Sequence, residues 1–169
     1  MNKYFRGHVE PWWNDDFKTL DYIYTPLNNP SHYDKWISQG YNGVTLNGGS
    51  YDQPRPMPDY AEPFFQLFNW ESTTISFFRM LTLEILPKHS DQYLRYREVF
   101  NIVEPASIWR AIVFLEDWRS GHWFEVGDEP IVPWQRGDYV VWNFDTEHAA
   151  GNFGTSPRYT CQITGVKKQ

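Results

Sequence analysis

The chain is 169 residues long, enough for one domain with a sizeable core and short for two. Its formal net charge is -6 and Lys167-Lys168 is the densest basic stretch, which excludes the electrostatic footprint of a duplex nucleic-acid binder. A lone Cys161 excludes an internal disulfide and a cysteine-based zinc site; with no run of membrane-spanning length and no apolar stretch in Met1–His8, a reducing cytoplasm is the expected setting.

Aromatic residues make up 19% of the chain, a content that suits pleated, half-buried surfaces and ring-walled pockets. Residues 1–72 read as a helix- and turn-rich N-terminal part. Asn28-Asn29-Pro30, Gly48-Gly49 and Pro54–Pro58 punctuate it, and short helices are expected near 15–22, 31–39 and 60–69, the second capped by Ser31. Trp12-Trp13, Tyr51 and the proline segment serve either as a lid over a barrel mouth or as plain packing.

From 73 to 166 the texture changes to β-rich runs at 74–86, 99–103, 108–116, 121–126, 139–144 and 158–164, each ending near Gly, Pro, Asn or Asp. Short strands in succession without long helices point to a sandwich or barrel. The expected fold is therefore mainly β with a few flanking helices, a double-stranded β-helix of the jelly-roll, cupin-like kind. The whole chain, 1–169, reads as a single domain with its β-helix core at 73–166.

The segment Leu86-Pro-Lys-His89-Ser-Asp91 carries the first chemistry. Residues two apart on a strand share a face, so His89 and Asp91 can aim an imidazole and a carboxylate at one point. Two histidines and a carboxylate on one face of a metal, with the other positions open, are the ligand set of a mononuclear Fe(II) oxygenase. His148, on the turn after the strand at 139–144, is the candidate third ligand. Arg158 and Thr160 follow on one face of the last strand. A guanidinium there can grip a carboxylate through two charge-assisted hydrogen bonds, with a hydroxyl adding a third.

The order His89-x-Asp91, then His148, then Arg158-x-Thr160 resembles the signature of the Fe(II)/2-oxoglutarate-dependent oxygenase superfamily. Trp109–Trp118, Trp134–Asp138 and His148…Asn152 are similar to aspartyl/asparaginyl β-hydroxylase-like and prolyl-hydroxylase-like members. The resemblance covers roughly 74 to 166. It implies a 2-oxoglutarate-dependent dioxygenase with His89, Asp91 and His148 as iron ligands and catalytic residues, and with Arg158 and Thr160 holding the 2-oxoglutarate co-substrate. It also implies O2 and a small-molecule or peptide substrate as partners, and hydroxylation of an unactivated C–H bond with release of succinate and CO2. Arg110, in an otherwise apolar strand, has two readings: a second contact to 2-oxoglutarate or substrate, or an edge arginine paired with Glu116 or Asp117.

Two rivals stand beside this one. Gly137-Asp138, His148 and Asn152 also resemble the second half of a cupin motif, which would give a metal enzyme without 2-oxoglutarate. A non-catalytic module binding through its aromatics is the other. His122 reads as a hydrogen-bonded structural histidine, and His8 and His32 as surface or structural ones. Neither substrate identity nor oligomeric state is legible in the sequence.

Overall fold

Two-residue alternation, read on both faces of each strand, decides this architecture. The computed structural model describes residues 4–26 and 30–168. Its core strands are β4 (Glu71–Met80), β5 (Ile85–His89), β6 (Ile108–Phe114), β7 (His122–Val126), β8 (Glu129–Pro130), β9 (Asp138–Asn143), β10 (His148–Asn152) and β11 (Arg158–Val166). They are preceded by β1 (Tyr4–His8), β2 (Ile23–Pro26) and β3 (Asn47–Asp52). The larger sheet has the order β1-β9-β6-β11-β4-β3-β2 and the smaller β5-β10-β7-β8. The chain passes between the two sheets in the manner of a double-stranded β-helix, with β4, β6, β9 and β11 on one wall and β5, β7, β8 and β10 on the other.

The larger sheet is covered on both faces. Met80, Ile112, Phe114, Val140 and Trp142 point inward and pack with Phe124, Val126 and Ala150 of the smaller sheet. Ile75, Phe77, Val113, Val141, Cys161 and Ile163 point outward, where Trp13, Phe17 and Phe64 from the N-terminal part bury them. Such two-sided burial explains why β6 and β9 read as largely apolar runs. Trp12-Trp13, Tyr51 and Met57 all join this outer layer, so packing is the role they have.

Several local expectations are corrected. The run at 74–86 is two strands, because the chain crosses from one sheet to the other at Leu81–Glu84. Leu83 takes a left-handed φ of 69° there, and buried Glu84 accepts a hydrogen bond from the Leu81 N–H at 2.6 Å. The residues expected as a strand at 99–103 instead end helix α3 (Leu94–Phe100) and the turn after it. Leu, Arg and Glu favour helix there, and Asn101 closes it in the left-handed region that Asn tolerates, its N–H donating to the Arg97 carbonyl. β8 and β10 were not legible as strands, and the N-terminal part, expected to be helix- and turn-rich, also supplies β1, β2 and β3 to the larger sheet.

Among the expected helices, 15–22 is a short 3-10 turn at Asp15–Thr19, and 60–69 is a 3-10 turn leading into α2 (Glu62–Gln66). Helix α1 (Pro30–Ser38) begins at proline, one residue before the expected Ser31 cap. The turn expected at Asn28-Asn29 lies outside the described residues. No helix among the described residues is long and apolar enough to cross a membrane.

Phe17 is fully buried, its ring centroid 5.3 Å from that of Tyr159 on β11. Phe17→Ala is expected to lower unfolding stability by about 3–5 kcal/mol, read from the urea midpoint. A cost below about 1 kcal/mol would mean that the N-terminal layer is not part of the cooperative core.

Candidate metal centre

Strand register brings the two histidines together. β10 pairs antiparallel with β5, and His148 stands directly opposite His89, with ring centroids 4.4 Å apart. His148 thus opens a strand, where the sequence had suggested a turn. Asp91 lies just beyond the end of β5, two residues past His89. The shared-face argument therefore holds for the strand end, while the carboxylate is positioned by the loop.

The second ring nitrogens decide what the site can hold. Nδ1 of His89 is 2.8 Å from the Pro87 carbonyl oxygen, and Nδ1 of His148 is 3.2 Å from that of Thr146. A carbonyl only accepts, so each Nδ1 carries the proton and each Nε2 presents a lone pair. Those two Nε2 atoms lie 3.6 Å and 3.4 Å from the Asp91 carboxylate oxygens. The three ligand atoms fall within 4.8 Å of one another. Lone pairs converge there without a hydrogen between them, an arrangement that a cation completes.

Electrostatics keep His148 and Asp91 deprotonated. Burial pushes the His148 pKa down to about 3, so its imidazole is neutral at ordinary pH. Burial acts to raise the Asp91 pKa, but Arg110, His148 and His89 outweigh it and hold the carboxyl well below the usual carboxylate range. Arg110 is the nearest of these. Its Nη1 donates to Asp91 Oδ2, its Nε is 3.3 Å from Thr164 Oγ1, and its guanidinium lies 4.7 Å from the Tyr93 ring centroid. Arg110 is paired with Asp91, and neither Glu116 nor Asp117 is its partner. Glu116 instead meets Lys18 and Arg119.

A cavity of about 180 Å³ opens from the triad. Across it stand Arg158, Thr160 and Gln162 of β11, with Phe124 and Trp142 among the apolar walls. Arg158 is only 4% exposed and has no carboxylate partner among the described residues. Its Nε lacks any hydrogen-bond partner, Nη1 is 3.5 Å from the Trp123 carbonyl and Nη2 is 3.5 Å from Met80 Sδ. Burial lowers its pKa to about 10, which still leaves it charged at neutral pH. An unpaired buried cation costs several kcal/mol, about the strongest demand a fold can make for an anion.

All six residues singled out in the sequence therefore surround one space. His122 sits apart. Its Nε2 is 3.0 Å from the Ser156 carbonyl and its ring stacks on Trp134, as a structural histidine does. Four neighbours of the centre were missed. Trp142 lies beside His148 at 4.9 Å between ring centroids, and Trp36 of α1 meets the His89 ring at 5.6 Å. Tyr93 underlies Arg110, and Gln162 continues the Arg158-Thr160 face. Period two from Arg158 or Val140 gives Gln162 and Trp142, whereas nothing in the local sequence ties Trp36 to His89.

The fold is shared with solved structures. A prolyl-4-hydroxylase from Pseudomonas putida aligns with a TM-score of 0.56 at 10% identity, covering 92% of this chain and 97% of its own. The non-heme alpha-ketoglutarate-dependent epimerase SnoN from nogalamycin biosynthesis aligns with a TM-score of 0.54 at 12% identity, covering 86% and 76%. At these identities the likeness is one of fold. No protein-family model matches the sequence, and no curated protein matches it either.

The donor set predicts stoichiometric binding of Mn(II) or Fe(II). Asp91→Ala should abolish the signal of protein-bound Mn(II) in electron paramagnetic resonance, and wild-type affinity in that variant would remove Asp91 from the ligand set.

Proposed function

We propose that this protein is an Fe(II)- and 2-oxoglutarate-dependent oxygenase that hydroxylates an unactivated C–H bond. The observation that carries the reading is Arg158, a buried guanidinium with no carboxylate partner among the described residues, across one cavity from two Nε2 atoms and a carboxylate. A metal site alone is compatible with many reactions. A metal site facing an unmatched buried cation is suited to an acid that chelates at one end and carries a carboxylate at the other.

In this reading His89, Asp91 and His148 would hold Fe(II). Arg158 would grip the far carboxylate of 2-oxoglutarate and Thr160 would add its hydroxyl. Bound Fe(II) would supply the activation of O2 that couples conversion of 2-oxoglutarate to succinate and CO2 with hydroxylation of the substrate. The chain's own contribution is placement and exclusion. Phe124 and Trp142 keep bulk water from the cavity, the Pro87 and Thr146 carbonyls orient the two rings, and Arg110 holds Asp91. The fold it shares with a prolyl-4-hydroxylase and an alpha-ketoglutarate-dependent epimerase supports the same reading. A cupin-type metal enzyme without 2-oxoglutarate has no use for the Arg158 charge, and an aromatic binding module has no use for the triad.

Purified protein given Fe(II), ascorbate and 2-oxoglutarate should release succinate slowly without any substrate. Arg158→Ala should raise the KM for 2-oxoglutarate about a hundredfold, the loss of two charge-assisted hydrogen bonds. An unchanged KM would remove Arg158 as the anchor, and succinate release surviving His148→Ala would overturn the triad.

A further inference from the structure

The cavity at the metal is not the end of the space. A second cavity, of about 220 Å³, adjoins it and shares two of its residues, Arg110 and Gln162. The two differ in chemistry. Apolar rings dominate the first, whereas the second sets Asp52, Thr74, Ser76 and Thr164 beside Ile75 and Tyr96. Hydroxyls and a carboxylate alongside apolar surface suit a ligand with a polar end and an aliphatic chain. Its volume is below the roughly 300–1,000 Å³ usual for drug-sized ligands, which favours a small molecule over a length of polypeptide.

Strand register gives the direction in which that ligand must lie. Asp52 of β3 pairs with Ser76 of β4, and Ser76 pairs with Gln162 of β11. The three form one row on the inner face of the larger sheet. At about 4.8 Å per strand, the row is roughly 10 Å long from Asp52 to Gln162, where the metal cavity begins.

The charges at the two ends are unequal. Arg110 is matched by Asp91, so it brings no free charge to the second cavity. The Asp52 carboxylate accepts a hydrogen bond from Ser50 Oγ at 2.6 Å and forms no ion pair among the described residues. Neighbouring Arg55 donates instead to the backbone carbonyls of Asp52, Asp21 and Ser50. The surplus on this lining is a single negative charge at the end far from the metal.

We propose that the second cavity is the substrate pocket and that it takes a small, extended molecule whose cationic amino group seats against Asp52. The opposite end of that molecule passes Gln162 and presents its C–H bonds to the metal cavity. The assignment of this ligand as substrate rests on the oxygenase reading, but its binding does not.

The two are separated by measuring binding and turnover with the full-length chain. Isothermal titration calorimetry with L-lysine and cadaverine as amine probes, against the uncharged 1,5-pentanediol and an N-acetylated, C-amidated proline-containing peptide, reads the binding. Succinate release from 2-oxoglutarate with the same compounds reads the reaction. L-Lysine or cadaverine should bind at least about tenfold more tightly than 1,5-pentanediol, the worth of one charge-assisted hydrogen bond. Asp52→Asn, which keeps the side-chain shape, should bring that ratio close to one, and the amine probes should raise succinate release in the wild type. Failure of both amines to bind, a preference that survives Asp52→Asn, or binding of the peptide alone would overturn the proposal. Succinate release with no amine preference would sink the pocket and leave the oxygenase standing. An Asp52-dependent amine preference with no succinate under any condition would do the reverse.

Discussion

The pairing of His148 with His89 across β10 and β5 is the constraint on which the rest of the site depends. Side chains alternate faces along a strand, so a slip of one residue in that register would turn His148 away from the interior. Each Nδ1 meets the carbonyl two residues before it in its own segment, Pro87 for His89 and Thr146 for His148. The strand pairing brings the imidazoles together, and the local backbone chooses their tautomer. Asp91 needs a further hold because it lies past the strand end, and Arg110 reaches it from the opposite sheet. The centre is tied to both walls of the β-helix at once.

The larger sheet makes the remainder of the site by dividing its two faces between different tasks. Its outer face is apolar and disappears under Trp13, Phe17 and Phe64. Its inner face is apolar toward β9 and polar along β11, where Arg158, Thr160, Gln162 and Thr164 succeed one another at every second residue. Stability comes from the first set and from the apolar part of the second. The polar residues of β11 contribute little to hydrophobic burial, and buried Arg158 costs stability until an anion meets it. A fold accepts such a cost where the ligand that offsets it is part of the function.

Much of the core and of the candidate site was legible before the structure because both rest on short periods. His89-x-Asp91 and Arg158-x-Thr160 are two-residue repeats, and the runs at 108–116, 121–126, 139–144 and 158–164 match strands closely. The misreadings have physical causes. The run at 74–86 holds no Gly, Pro, Asn or Asp, so composition gave no turn signal for the sheet crossing at Leu81–Glu84. β10 reads His-Ala-Ala-Gly-Asn, residues of low strand propensity that form a strand only because β5 and β7 flank it. The strand expected at 99–103 gave way to α3, whose left-handed flanks at Tyr93 and Asn101 are fixed by surrounding contacts.

By itself the sequence determined which residue types stand two apart on a strand, and so the ligand pair near His89, the guanidinium-hydroxyl pair at Arg158 and the β-rich class of the core. Those features are local, set by the alternation of the backbone. Only the tertiary structure decided that Arg110 serves Asp91, that Trp36 and Trp142 flank the two imidazoles and that Arg158 is buried without a carboxylate partner among the described residues. It alone joined the polar cavity at Asp52 to the metal side of the barrel. Each of these depends on which strands neighbour one another across the two sheets, and that order is fixed by packing between residues far apart in the chain.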